Sequence, residues 1–426
     1  MQKYHLSETL NFKEQALTWA YSFDVACYFD SNNYTDPYSA FDVLIAAGVK
    51  EELIANSGNA FVQLDQFIKN RDSIVPGYLA YDLKNEIEDL VSQNTDHLKF
   101  PDLYFFVPEH LILIKGQEIT IYSDDPDKVW TFVLQQKVRP GATTGITINS
   151  RFTKSEYVKT VEVLKEHIQR GDIYEITFCQ EFFAENVQLD PAQLFQALNN
   201  ISPTPFANFF KIRDKYIISA TPERFLSKRG RKLISQPIKG TVARSLSAID
   251  DNKNKEQLHS NEKERAENVM IVDLVRNDLT RSAEPGSVTV EELFGVYSFK
   301  QVHQMISTVV CTAAENFSSA GIIKNTFPMG SMTGAPKIKA MKLIEQYERT
   351  RRGVFSGAVG YFSPQGDFDF NVVIRTILYN SYNQYLSFQT GSAITFECDA
   401  EKEFEECLLK ASAIQEVLNS SAQTQD

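Results

Sequence analysis

Cysteine and tryptophan are scarce in this 426-residue chain, at five and two residues. Cys27, Cys179, Cys311, Cys398 and Cys407 form no C-x-x-C pair and have no histidines at zinc-finger spacing, so they read as reduced core thiols. Long apolar runs are missing as well: no stretch approaches the roughly 18 residues of a membrane span. The N-terminal MQKYHLSETLNFKEQ lacks the apolar segment of an export signal, and a cytoplasmic protein is expected. Positive charge is in deficit. Against 43 Lys plus Arg stand 55 Asp plus Glu, a net charge of -12, which disfavours nonspecific attraction to phosphate backbones or anionic lipid. Neither nucleic acid nor a membrane is an expected partner.

What is present suffices for a large core: 43% of the residues are hydrophobic and 12% aromatic. No internal repeat is visible. The first third carries aromatic-rich strand candidates at Leu103 to Val107 and Leu111 to Lys115, and ends at the turn-rich Arg139-Pro140-Gly141. Longer helices and strands run from Ser150 to a polar tail after Asn419, which is expected to be disordered. The strands come in adjacent groups. Ile212 to Ala220, Phe225 to Lys228 and Lys232 to Ile238 read as one meander; Gly357 to Phe362, Asn371 to Tyr379 and Tyr385 to Thr390 read as another. An α+β fold with antiparallel sheets follows.

Asn261, three residues before Glu264, should cap a helix that sets Glu264 and Glu267 one turn apart. Asp399 should cap another with Phe404, Cys407, Leu408 and Ala411 inside and Glu403 and Glu406 beside them. Two Glu pairs on two helices are oxygen donors of the kind Mg²⁺ requires; they are equally what two solvated helix faces would look like. Lys239 ends a strand in Gln236-Pro-Ile-Lys-Gly-Thr241. It is either a surface lysine or an amine that desolvation makes nucleophilic, with Gly240 allowing close approach. Gly330-Ser-Met-Thr-Gly-Ala-Pro-Lys337 leads into a helix with Pro336 suited to its first position; its amides could hold an anion, or it is only a turn. Thr390-Gly-Ser-Ala393 reads as a small-residue loop whose amides could meet a carboxylate. Arg375 sits in an apolar strand and needs an anion, structural or bound.

Together and in this order, these elements resemble the chorismate-utilising enzymes, which include anthranilate synthase component I, aminodeoxychorismate synthase component I, isochorismate synthase and salicylate synthase. The resemblance is dense from Arg151 to Ala413. It rests on Gly171-Asp-Ile-Tyr174, Thr221-Pro-Glu-Arg-Phe-Leu226, Pro237-Ile-Lys-Gly-Thr241, Arg265-Ala-Glu-Asn-Val-Met-Ile-Val-Asp-Leu-Val-Arg-Asn-Asp278, Gly334-Ala-Pro-Lys337, Gly357-Ala-Val-Gly-Tyr361 and Ile374-Arg-Thr376. Gly77-Tyr-Leu-Ala-Tyr-Asp-Leu83 matches a looser N-terminal region. The resemblance implies an antiparallel β-sandwich with peripheral helices, of the anthranilate synthase component I type. Residues 1–140 would form its N-terminal region and 150–418 its chorismate-binding catalytic region, intertwined in one globule. It further implies Mg²⁺ held by Glu267 and Glu406 with Glu264 and Glu403 close by. Tyr361, Arg375, Lys410, Gly240, Thr241 and the amides of Gly391, Ser392 and Ala393 would hold substrate, and Glu223 would be the acid/base near the departing C4 hydroxyl.

Within the family, lysine at position 239 marks the aminodeoxychorismate branch, where anthranilate synthases carry Ala; anthranilate synthase component I remains the alternative. The branch implies that Lys239 attacks C2 of chorismate, expels the C4 hydroxyl, and is displaced when ammonia enters at C4, on the way to p-aminobenzoate and folate. Glu175 stands where isochorismate and salicylate synthases carry a water-activating lysine, which argues against water addition. Gln304 replaces a common histidine, with His303 displaced by one, while Met329 and Ala393 replace common glycines. Pro205-Phe206-Ala207 resembles part of the tryptophan pocket of relatives, without the Leu-Leu-Glu-Ser element that accompanies it. No amidotransferase-type Cys and His pair is recognisable, so ammonia is expected from a separate glutamine amidotransferase subunit, and a separate pyridoxal-phosphate lyase should complete p-aminobenzoate.

Overall fold

The computed structural model describes residues 1–6, 11–138 and 145–419. The boundary expected at Arg139-Pro140-Gly141 and the polar tail after Asn419 lie outside these residues. Among them every strand pairing is antiparallel, so the expected α+β class holds. The long strand Leu103–Lys115 is a corner shared by two layers. On one side the order continues through Val43–Ala55, Val25–Asp30, Phe206–Ile212, Lys215–Thr221, Thr376–Asn380, Tyr385–Ile394 and Glu175–Ala184. On the other it runs through Val75–Leu79, Ala358–Phe362, Phe368–Val372, Arg224–Arg229, Lys232–Gln236 and Val302–Thr312.

Alternation along the strands decides what fills the space between the layers. Val25 and Cys27, Leu44 and Ala46, and Phe210 and Ile217 turn inward to meet Tyr78, Phe225, Leu233, Val359 and Phe370 of the second layer. Their neighbours Ala26 and Tyr28, Val43 and Ile45, and Phe209 and Ile218 turn outward and are covered by the helices Phe12–Tyr21, Pro126–Leu134, Pro191–Ile201 and Ala400–Asn419. A period of two with both faces apolar is what a strand covered on both sides requires. The result is a sandwich with helices outside it.

Both expected meanders break, and the breaks matter. Lys215–Thr221 does not pair with Arg224–Arg229; it pairs with Phe206–Ile212 and Thr376–Asn380, and the chain changes layers at Pro222-Glu223. The single strand read over Asn371 to Tyr379 is two strands, Phe368–Val372 in the second layer and Thr376–Asn380 in the first, joined by Val373, Ile374 and a left-handed Arg375 (φ 50°). The two crossings lie side by side: the Val372 amide donates to the Glu223 carbonyl at 3.0 Å and the Ala220 amide to the Arg375 carbonyl at 3.2 Å. Glu223 and Arg375 therefore stand together where the layers part.

The caps form as expected. Asn261 accepts from the Glu264 amide at 3.1 Å and opens the helix Glu262–Thr280; Asp399 accepts from the amides of Glu401 and Lys402 and opens Ala400–Asn419. Pro336 precedes the helix Lys337–Tyr347 and does not occupy its first turn. No helix among the described residues is long and apolar enough to cross a membrane.

Candidate active site

Where the layers part, a cavity of about 690 Å³ opens between the crossings, the strand Ile238–Ala243 and the N-terminal turns of the two capped helices. Ile271, Val272, Val275 and Leu279 anchor the first helix in the sandwich core, which fixes Glu264 and Glu267 at the cavity. Cys407, Ala411 and Ile414 anchor the second and present Glu403, Glu406 and Lys410. Glu223, Lys239, Gly240, Thr241, Arg375, Gly391, Ser392 and Ala393 also line it. Gly240 takes φ +91°, and a Cβ there would lie 3.1 Å from a Glu264 carboxylate oxygen, so a bare backbone is needed where strand and helix meet.

Tyr361 is not brought to this cavity. It lies in the strand Ala358–Phe362, its ring 4.8 Å from Phe41 and its hydroxyl accepting from Arg229 at 3.2 Å, beside the Pro205–Ala207 segment. The aromatic side chain that lines the cavity is Phe355, six residues earlier. Gly391 to Ala393 do not form a loop: they continue the strand Tyr385–Ile394 and pair with Thr177 to Cys179. On their other side the last pair is Ile377 with Phe388, so this edge is open to the cavity and offers backbone groups to a ligand. Gly391 must lack a side chain, since a Cβ would stand 2.4 Å from the Phe178 carbonyl oxygen.

Burial drives the Glu223 carboxyl up to about 7, with a hydrogen bond from Ser331 and the charges of Lys239 and Arg375 holding it back. It therefore carries a proton through much of the neutral range. Arg375 is pulled down to about 10 by burial, with Glu223 opposing. No side-chain hydrogen bond or ion pair satisfies it among the described residues, and Glu223 is the carboxyl whose charge reaches it.

Lys239 reverses its expected behaviour. Burial pulls the amine down, but Glu175 and then Glu267 more than compensate, and the amine is held above the ordinary lysine value. Its Nζ donates to Glu175 Oε1 at 2.8 Å, with the side chains 12% and 1% exposed. Desolvation alone would have left a neutral amine; a buried carboxylate partner keeps it an ammonium. Nothing in the sequence announced the pairing, because 64 residues separate the two positions.

Glu264, Glu267 and Glu403 are raised by burial, with neighbouring carboxylates that include Glu406 adding to it, while Lys239 acting on Glu267, and Lys263 at 3.7 Å from both Glu267 and Glu403, offset part of the rise. Glu406 itself is lowered, burial being outweighed by Lys410 at 2.7 Å, and Lys410 also donates to the Gly391 carbonyl at 2.9 Å. Among the described residues no three carboxylates meet in ligating geometry. Their chemistry nonetheless suits a hard divalent cation, being all oxygen, crowded and underneutralised.

Three further placements decide roles. Lys337 is buried on Asp278 at 2.5 Å and does not line the cavity; of its motif, Ser331 and Met332 do. His303 turns away to Ser298 and Asp251, whereas Gln304 lines the cavity with its Oε1 buried and unpartnered. Thr177 and Gln389, which no motif singled out, line the wall beside Ser392.

A model of the chorismate binding enzyme family matches residues 20–416, nearly the whole chain. The chain belongs to the chorismate-binding enzymes. It is 31% identical over 365 residues to aminodeoxychorismate synthase component 1 of Bacillus subtilis, covering 81% of this chain and 77% of that protein. It is 29% identical over 391 residues to anthranilate synthase component 1 of Aquifex aeolicus, covering 85% and 78%. The anthranilate synthase component I structure from Streptococcus pneumoniae superposes with a TM-score of 0.78 at 25% identity, over 90% of this chain and 93% of that one. As a chorismate-binding enzyme, the chain has its cavity at the point where its charged residues converge.

Proposed function

We propose that this enzyme aminates chorismate at C4, giving 4-amino-4-deoxychorismate as component I of an aminodeoxychorismate synthase. The observation that carries the reading is the amine of Lys239 at the wall of the cavity, with Glu223, its carboxyl raised to about 7 by burial, lining the same cavity. Arg375 supplies the anchor for a substrate carboxylate, and the open edge at Gly391 to Ala393 together with Thr241 supplies hydrogen bonds. Mg²⁺ would be held by Glu267 and Glu406, with Glu264 and Glu403 close by, and would supply charge neutralisation for the second carboxylate of the substrate.

Lys239 forms a bond to C2 as the ring double bonds shift and the C4–O bond breaks; Glu223 protonates the departing hydroxyl, which leaves as water. Ammonia then attacks C4, the double bonds shift back, and the C2–N bond breaks to release the lysine. Splitting one displacement into two keeps each partner within reach of a positioned group. Ammonia would come from a glutamine amidotransferase subunit. The name of the Bacillus subtilis relative, component 1 of an aminodeoxychorismate synthase, supports this.

Purified chain supplied with chorismate, Mg²⁺ and ammonium tests the reading. Aminated chorismate retaining its enolpyruvyl group is expected. Fluorescent anthranilate formed without any added lyase would overturn the reading in favour of the activity named for the Aquifex relative.

A further inference from the structure

An ammonium cannot attack carbon, and Lys239 is held as one, so the proposed reaction needs a group that removes its proton at the moment of attack. We infer that Glu175 is that group: it takes a proton from Lys239 as the C2–N bond forms and returns it when the lysine is displaced. The inference rests on the covalent role of Lys239 proposed above.

Glu175 is the one acceptor in hydrogen-bonding contact with Lys239 Nζ among the described residues, through Oε1 at 2.8 Å. Its other oxygen, Oε2, is buried without a hydrogen-bond partner among the described residues. A charged carboxylate buried with one oxygen unsatisfied is costly, and a proton removes that cost. Both side chains are largely withdrawn from solvent, so the ionic pair and the neutral pair lie closer in energy than they would in water.

The backbone holds Glu175 in place against the Gly334-Ala335 turn. It begins the strand Glu175–Ala184, pairs with Ala335, and its neighbour Tyr174 donates to the Ala335 carbonyl at 2.7 Å. A Cβ on Gly334 would lie 2.2 Å from the Glu175 carbonyl oxygen, so the glycine is what allows that approach. Lys337 fixes the same turn to Asp278, on the helix that carries Glu264 and Glu267. The segment read as a possible anion site is thus the clamp that positions Glu175 against the lysine.

The step balances. The Lys239 ammonium gives one proton to Glu175, and the freed electron pair makes the C2–N bond. The C4–O pair leaves with a proton from Glu223 as water. When ammonia has added at C4, the C2–N pair returns to Nζ and Glu175 gives its proton back, while the new C4 ammonium reprotonates Glu223. Other charges facing Lys239 are those of Glu267, Glu406, Glu264, Glu223 and Lys410, whose fields reach it without contact. They set the energy of the ammonium but are not placed to receive its proton.

The test is the pH profile of the full chain with chorismate, Mg²⁺ and ammonium, at constant free ammonia. Glu175→Gln should lose on the order of 100-fold in kcat near pH 7.5, keep its KM for chorismate, and rise roughly tenfold per pH unit relative to the parent at the same pH on the alkaline side, where solvent removes the proton. Glu175→Asp keeps the acceptor at shorter reach and should show reduced kcat with a profile of wild-type shape. A Gln variant with wild-type kcat and profile, or an Asp variant with the rising alkaline limb, overturns the inference. Loss in Lys239→Ala with no change in Glu175→Gln sinks this step alone; full activity in Lys239→Ala sinks the covalent reading itself.

Discussion

At the scale of single residues, the cavity is defined by groups that the protein leaves in uncomfortable states. Glu223 has its carboxyl raised to about 7 by burial, well above the ordinary carboxylate range. Below that value it is an acid able to protonate the leaving hydroxyl, and above it the acid is lost, so kcat/KM should fall as pH rises through about 7. Glu223→Gln should lower kcat by about 10² to 10⁴ and remove that limb. The same shift has a stability consequence of fixed sign: a carboxyl raised in the folded state contributes fully below its ordinary value and loses that contribution as pH rises through about 7. Glu223→Gln should therefore melt higher than the parent at pH 8, by up to about 3 kcal/mol in free energy, and show little difference at pH 4. Arg375 makes the parallel argument for binding. Its guanidinium is buried and pulled down to about 10 with no side-chain hydrogen bond or ion pair among the described residues, so Arg375→Met should leave the melting temperature equal or higher while abolishing the upward shift that chorismate gives the parent.

At the scale of elements, the division between what was legible and what was not follows the range of the forces involved. The caps at Asn261 and Asp399 could be read because a side chain and an amide two or three residues on settle them locally. The antiparallel class followed from strand candidates that come in adjacent groups, whereas the outward helices were implied only by the family resemblance. The layer crossings could not be read, because Thr221 to Arg224 look like an ordinary turn between two paired strands and Val372 to Ile374 continue an apolar strand, and only the partner layer decides where the chain leaves one sheet for the other. Arg375 even adopts a left-handed conformation without being glycine. Phe355 and Tyr361 are near neighbours in the chain, and only the three-dimensional path distinguishes the one at the cavity from the one beside Phe41. The Gly334 turn is another nonlocal device. Gly334→Ala drives a Cβ into the Glu175 carbonyl and to within 2.9 Å of Ala340 Cβ. It should destabilise the chain by about 1 to 3 kcal/mol in denaturant unfolding and depress kcat beyond that loss, since the displaced strand carries Glu175.

For the molecule as a whole, negative charge is both a burden and a means of holding a cation. The chain carries a net charge of -12, and Glu264, Glu267 and Glu403 are crowded at one point, raised by burial and by neighbouring carboxylates that include Glu406. Each such raised carboxyl favours the folded state fully below its ordinary value and ceases to do so as pH rises through its folded one. The metal-free chain should accordingly lose thermal stability between pH 5 and pH 8, whereas a bound divalent cation requires the ionised carboxylates and is displaced by protons. Mg²⁺ should raise the melting temperature more at pH 8 than at pH 5, and chelation with EDTA should abolish turnover until Mg²⁺ is restored. Replacing Glu267 with Gln should shrink the pH 8 shift while raising the melting temperature of the metal-free protein, because it removes one of the repelling charges. A Mg²⁺ shift of equal size at both pH values, or one untouched by Glu267→Gln, would place the cation elsewhere than between these two helices.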